Sequence, residues 1–402
     1  MDLQRRRLMG GRTGSGVIGF DVTAALTQGG GIGRYTRELI AALVHESPEH
    51  TYKLFSARPP VVPPVPNSLP VAPHVVHRPA PIDEHWLYRL WYRARLPLPV
   101  QTFTGPIDLF HSPDFVLPPV SGGIPTILTV HDLSFAHYPE TFPDKLVRYL
   151  NRVVPWSVGR ARHVLADSLA TSRDLQELWQ VPGEKITVLY SGVNARFRPV
   201  TNESDKAAVR ERYGLGDAPF VLAVGTVQPR KNYPLLIRAF RPVAERLPHS
   251  LVIAGGRGWM SEEMPAEIER QGLGGRVHLA GFIDDADLPA LYSAADLLAF
   301  PSLYEGFGLP LLEAMACGTP VISSDASSLP EVARHGESEA AMLISPHDES
   351  AWSAGMIRLL GDPELRGRLI AAGFDQVKRF SWEAAARQLA ALYRTLLSPD
   401  PR

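Results

Sequence analysis

Short apolar runs rich in β-branched residues alternate with helical stretches along this chain, and the alternation starts twice. In the first half VIGFDV (residues 17–22) reads as a buried strand, followed by a glycine loop and the helical pattern GRYTRELIAALVHE. Further strands are expected at YKLFSA, IDLFHS, PTILTVHD and HVLADS. The second half restarts at FVLAVGT (residues 220–226) and runs through LIRAFRPVAERL, LVIAGG, VHLAGFI and a helix in LPALYSAAD. It ends with the strand LLAFPS, a glycine turn opening a helix, and PVISSD. Such alternation requires parallel sheets with helices on both faces, so the fold class is α/β. A chain of 402 residues exceeds what one core usually supports, and two domains follow. They are expected over residues 17–195 and 196–377, joined near SGVNARFRP, with the polar TNESDK just beyond. In open sheets of this type ligands bind beyond the C-terminal strand ends, so the facing loops of two such domains make a cleft.

Several function classes are disfavoured by composition. The formal net charge of −1 leaves no global basic field for nucleic acid. A single cysteine, Cys317, excludes an intrachain disulfide and fits a reducing cytoplasm, where a buried small side chain is expected for it. No apolar run approaches the roughly 20 residues that span a bilayer. Residues 1–16 carry basic side chains without a following apolar region and read as a disordered lead-in. The proline-rich residues 59–81 cannot form interior strand and read as a surface loop. In EHWLYRLWYRARLPL, Trp86, Leu87, Leu90 and Trp91 can share one helical face, giving either a peripheral membrane contact or a lid or core helix.

Chemistry is concentrated in the loops that leave strands. In EGFGLPLLEAMACGTPVI, Glu305 precedes a turn in which Gly306 and Gly308 allow close backbone approach, and Pro310 suits a first helical turn. The amides of Phe307, Gly308 and Leu309 form a helix start suited to phosphate, and Glu313, about one turn in, can accept two hydrogen bonds from a ribose diol. The plain alternative is a dipole-favouring Glu313 and a solvated Glu305. In VGTVQPRKN, Arg230 and Lys231 can hold a leaving diphosphate. QGGGIGRY fails as a dinucleotide fingerprint because Arg34 stands where a third glycine belongs. What remains, with Gly31 and Gly33, is either an anion-holding glycine nest or a tight turn. TVHD ends a strand with His131 and Asp132, and DLFHSPDF offers His111 and Ser112 as acceptor-side candidates. Phe282 and Ile283 follow a further strand. No metal site is expected: Asp285-Ala286-Asp287 has the letters of a D-x-D motif but opens a helix.

Glu305 and Glu313, with seven residues between them in EGFGLPLLEAMACGTPVI, resemble the E-x7-E signature of retaining glycosyltransferases of family 4 with the GT-B fold. The likeness runs from Val17 to the closing helix FSWEAAARQLAALYRTLL and implies two Rossmann-like domains about a deep cleft, with residues 378–402 crossing back to the first. It implies that Glu313 grips the nucleotide ribose and Glu305 the donor sugar, that Lys231 and Arg230 hold the diphosphate, and that His131 meets the donor sugar beside Asp132. Many members carry arginine directly after the strand's glycine, where this chain has Thr226, so Arg230 would act in its stead. The loop of Gly31 and Gly33 would face donor phosphates or acceptor, and Phe282 and Ile283 would hold the nucleobase through backbone groups. GGGIGRYT, FHSPDFVLPP, VHDLSFAHYPE and VGTVQPRKN resemble bacterial mannosyl and rhamnosyl transferases. The expectation is a hexose, mannose from GDP-mannose, moved with retention to a glycan or lipid-linked acceptor without metal or other cofactor. A nucleotide-sugar epimerase, a pyridoxal-dependent phosphorylase and a non-catalytic sugar-nucleotide sensor are the rivals.

Overall fold

The computed structural model describes residues 15–59, 69–260 and 263–398. Most of the expected lead-in, and residues 60–68 of the proline-rich stretch, lie outside them. The first domain is a seven-stranded sheet in the order β3-β2-β1-β4-β5-β6-β7. These strands are β1 (Val17–Asp21), β2 (Thr51–Ser56), β3 (Val75–Pro79), β4 (Leu109–Ser112), β5 (Thr126–Val130), β6 (His163–Ala166) and β7 (Ile186–Val188), all paired in parallel. The second is a six-stranded parallel sheet, β10-β9-β8-β11-β12-β15. Its strands are β8 (Phe220–Val224), β9 (Ser250–Ala254), β10 (Val277–Gly281), β11 (Leu297–Phe300), β12 (Val321–Ser324) and β15 (Met342–Ile344). A small antiparallel hairpin of β13 (Arg334–His335) and β14 (Ser338–Glu339) stands apart. The central strands β5, β9 and β11 are buried at every position, as parallel strands covered on both faces must be.

One expectation is corrected at the sheet edge. Part of the proline-rich stretch read as loop forms β3, whose outer edge needs no partner and therefore tolerates Pro79. A second correction concerns the aromatic stretch after it, an α-helix over Glu84–Tyr88 continued by a π turn over Arg89–Arg93. Leu87 and Trp91 are buried in the domain core while Trp86 is exposed, so the four apolar residues do not form one outward face.

Two chain segments join the domains side by side. The linker after β7 passes beneath the start of the last helix, Trp382–Leu397: a Cβ on Gly192 would lie 2.2 Å from the Trp382 nitrogen, and Val193 donates to the Phe380 carbonyl. That helix packs on Gly31–Glu46 of the first domain, with Leu389 and Tyr393 in the shared core.

Candidate active site

The C-terminal ends of the two sheets face each other, and their loops touch. After β11 the chain turns through Glu305 and Gly306 into the helix Leu309–Ala316, with Gly308 at its N-cap in a left-handed conformation, φ +118. A Cβ on Gly306 would fall 2.2 Å from the His131 carbonyl oxygen, so glycine is required where this loop meets the end of β5. Ser328 Oγ donates to the carbonyls of Glu305 and Phe307, and the Glu305 amide donates to Ser327 Oγ. The amides of Phe307, Gly308 and Leu309 donate to no protein group among the described residues.

Glu305 is 8% exposed and gripped by both predicted cations, Lys231 Nζ at 2.6 Å and Arg230 Nη1 at 2.9 Å. Burial alone would raise its pKa, but Arg230 and Lys231 more than offset this and hold the carboxyl down at about 2. Lys231 lies over the Phe300 ring and close to Gly225, whose φ of +146 leaves no comfortable place for a side chain there. Arg230, brought round by the 3-10 turn Pro229–Lys231, supplies the guanidinium at Glu305, whereas Thr226 points to solvent.

Glu313 is 2% exposed. Its Oε2 accepts from the Tyr292 hydroxyl at 2.8 Å, and its Oε1 accepts from Arg34 of the opposite domain. Arg34 also pairs with Asp285 at 2.5 Å, which Arg196 approaches at 3.4 Å. From the sequence, Arg34 counts only as the residue that breaks a dinucleotide fingerprint. Its place in the first turn of a helix behind a glycine loop at the cleft was the available signal.

His131 is buried with both ring nitrogens committed: Nδ1 to Asp167 at 2.7 Å and Nε2 to the Pro113 carbonyl at 2.9 Å. The Pro113 carbonyl can only accept, so Nε2 donates, and the Asp167 carboxyl facing Nδ1 favours the protonated ring. Burial works against that charge, yet Asp167 and Asp114 outweigh it and push the pKa up to about 9. The carboxylate that positions His131 is thus Asp167, which sequence reasoning missed. Asp132 instead accepts from the amide and hydroxyl of Ser134.

His111 is corrected as an acceptor-side candidate. It is wholly buried between the Tyr393 hydroxyl at 2.7 Å and Thr129 Oγ1 at 3.2 Å, and burial drives its pKa down to about 3. Ser112 spends its hydroxyl on the Val116 carbonyl but lines a small pocket with Asp21, Asp114, Tyr88, Trp91 and Tyr92. There burial lifts the Asp21 carboxyl to about 7. Gly33 is demanded by packing, its Cβ position lying 2.0 Å from the Gln28 carbonyl oxygen, while Gly31 is uncrowded. Phe282 is 53% exposed opposite Gly29, but the Ile283 side chain belongs to the core. Cys317 is buried. Asp287 is held by Arg212 and Tyr213, and no group of three or more potential metal ligands occurs among the described residues.

Two parallel-sheet domains with charged strand-end loops meeting across a cleft are the architecture of the GT-B class. The family model described as Glycosyltransferase Family 4 matches residues 29–197, and that described as Glycosyl transferases group 1 matches residues 205–376. The O-antigen chain mannosyltransferase B of Escherichia coli is 33% identical over 290 residues, 72% of this chain and 74% of that protein. Among solved structures, sucrose-phosphate synthase from Thermosynechococcus elongatus shares the fold with a TM-score of 0.73 at 24% identity, covering 94% of this chain and 98% of that one. Anabaena HepE in complex with UDP-glucose gives 0.66 at 21% identity, covering 94% and 100%. The chain belongs to the family 4 glycosyltransferases of the GT-B fold and is related to mannosyltransferases. No helix among the described residues is long and apolar enough to cross a membrane.

Proposed function

We propose that this glycosyltransferase moves a hexose from a nucleotide sugar to a glycan or lipid-linked acceptor with retention of configuration, and that the donor is GDP-mannose. The observation that carries the reading is the grouping of Arg230, Lys231 and the uncommitted amides of Phe307, Gly308 and Leu309 on loops that face one cleft. In transfer the bond between sugar C1 and the diphosphate oxygen breaks as the acceptor oxygen bonds to C1, and the acceptor hydroxyl's proton passes to the departing diphosphate. Charge then grows on the departing diphosphate, and fixed cations and amides stabilise it without reorganising. Glu313 takes the ribose. Glu305 takes donor-sugar hydroxyls while keeping its two cations in place. His131, with its N–H groups committed, contributes a fixed positive charge and a rigid carbonyl against Gly306, and it transfers no proton in the reaction. The mannosyltransferase relative supports the sugar; the UDP-glucose complex of a structural neighbour keeps UDP donors in the test. The reaction needs no metal, because Arg230 and Lys231 hold the diphosphate. The enzyme works in the cytoplasm. Exposed Trp86 with Arg89 over its ring, beside exposed Arg93 and Arg95, supports a peripheral contact with the membrane that carries the acceptor.

Thermal stabilisation by GDP-, UDP- and dTDP-sugars tests the donor, since a bound ligand raises the midpoint. NMR of the anomeric linkage formed on an acceptor tests the transfer. GDP-mannose should stabilise most and give a product of retained configuration. No stabilisation by any of them, or conversion of donor without acceptor, would refute the reading.

A further inference from the structure

Glu313 and Arg34 raise a difficulty for donor binding. The carboxylate assigned to the ribose is already engaged on both oxygens, by Tyr292 from its own domain and by Arg34 from the other. Tyr292 lies in the core of the second domain, wholly buried, and cannot withdraw without opening a cavity. Arg34 reaches in from the cleft wall and keeps 15% of its side chain exposed. A ribose diol approaching Glu313 therefore displaces Arg34 and leaves Tyr292 in place.

A displaced guanidinium keeps its charge, because arginine does not deprotonate in proteins. Arg34 would then lose Glu313 as a partner beside the glycine loop, in a setting where its Nε is already buried without an acceptor. Asp285 keeps its hold on Nη2, but the Nη1 freed from Glu313 and the buried Nε are left without an acceptor, which is costly unless another anion arrives. A nucleotide sugar brings one, since its diphosphate enters with the ribose and is bound, on the reading above, at the amides that precede Glu313.

We propose that Arg34 is a place-holder that exchanges partners when the donor binds. Without donor it pairs with both Glu313 and Asp285. With donor present, ribose hydroxyls occupy its place on Glu313 and the guanidinium shifts to the diphosphate. The exchange makes the site selective for nucleoside diphosphates over nucleosides: a nucleoside must break the Arg34–Glu313 pair and offers nothing to the cation it frees. This inference rests on the proposed donor site and adds Arg34 to it as a specificity-determining residue.

Full-length wild type, Arg34→Met and Arg34→Gln can be compared by ligand-observed NMR and calorimetry with GDP, guanosine, UDP and uridine, after melting curves confirm folding. Exchange requires opposite signs. Since a single charge-assisted hydrogen bond separates the two cases, the nucleoside of the preferred base should bind roughly tenfold more tightly to either variant, and its diphosphate roughly tenfold more weakly. Variants that shift both ligands in the same direction, or neither, would overturn the exchange while leaving the donor site standing. Wild type that binds neither diphosphate would overturn the donor site and this inference together.

Discussion

Replacing Glu305 with Gln should destabilise the second domain by an amount that the structure fixes. The carboxylate is 8% exposed and holds two buried cations, and its pKa is drawn from an ordinary 4.5 to about 2. At about 1.36 kcal/mol per tenfold change in proton affinity, this corresponds to about 3 kcal/mol of stabilisation at neutral pH. That agrees with the cost of roughly 3–5 kcal/mol for removing one partner of a buried ion pair. For a domain of this size the midpoint should fall by about 6 to 12 °C. The sign with pH follows from the depressed pKa. The stabilisation is present above about 4.5 and is lost as pH falls from there towards 2, so the gap between wild type and variant should narrow in acid. Differential scanning calorimetry at pH 7 and at steps down to pH 3.5 measures both effects. A nucleoside diphosphate should raise the variant's midpoint more than that of wild type, because its charge replaces the missing counter-ion of Arg230 and Lys231. A variant that melts with wild type at pH 7, or a gap that does not change on acidification, would refute the account of Glu305 as the anion that holds this cluster.

Asp167→Asn should bring the His131 pKa down from about 9 towards or below the usual imidazole range, as burial then prevails, and an NMR titration of the ring would report it. The associated stability, about 3 kcal/mol, is present below about pH 6.5 and lost as pH rises through 9, so the variant should lag wild type most in mild acid. Gly306→Ala places a methyl group against the His131 carbonyl and should lower kcat roughly a hundredfold through misplacement of the loop, with a weaker diphosphate affinity by calorimetry because the amides of Phe307, Gly308 and Leu309 move with it. Chelation with EDTA should leave sugar transfer unaffected, whereas a loss restored by a divalent ion would show that Arg230 and Lys231 do not suffice.

The buried strands were legible because short runs of β-branched and apolar residues such as TILTV and LLAF have few other uses in an α/β chain. The sheet edges were not. β7 and β15 have three residues each, too short for a period, and β3 was hidden by its prolines. The glycine turn and its two acids were readable from local chemistry, but pairing was not. Lys231 and Glu305 are 74 residues apart, and Arg34 and Glu313 are 279 apart, so only tertiary structure joins them. Asp167 was hidden for a narrower reason. Val130 pairs with Ala166 in the β5–β6 register, so the next residue on each strand, His131 and Asp167, come together as soon as strand order is known. His111 misled because its strand ends near the cleft, yet it lies within β4 and beneath the last helix.

That last helix has a consequence for biosynthesis. The Tyr393 hydroxyl that braces His111, and the apolar face that covers Gly31–Glu46, belong to a helix translated after the whole of the second domain. At roughly 5–20 residues per second, the nascent first half waits on the order of tens of seconds with this surface uncovered while the other half emerges from the ribosome. Its native packing is finished only once Trp382–Leu397 has left the ribosome, and a gene fragment ending at the interdomain linker would encode a half-protein lacking part of its own interior.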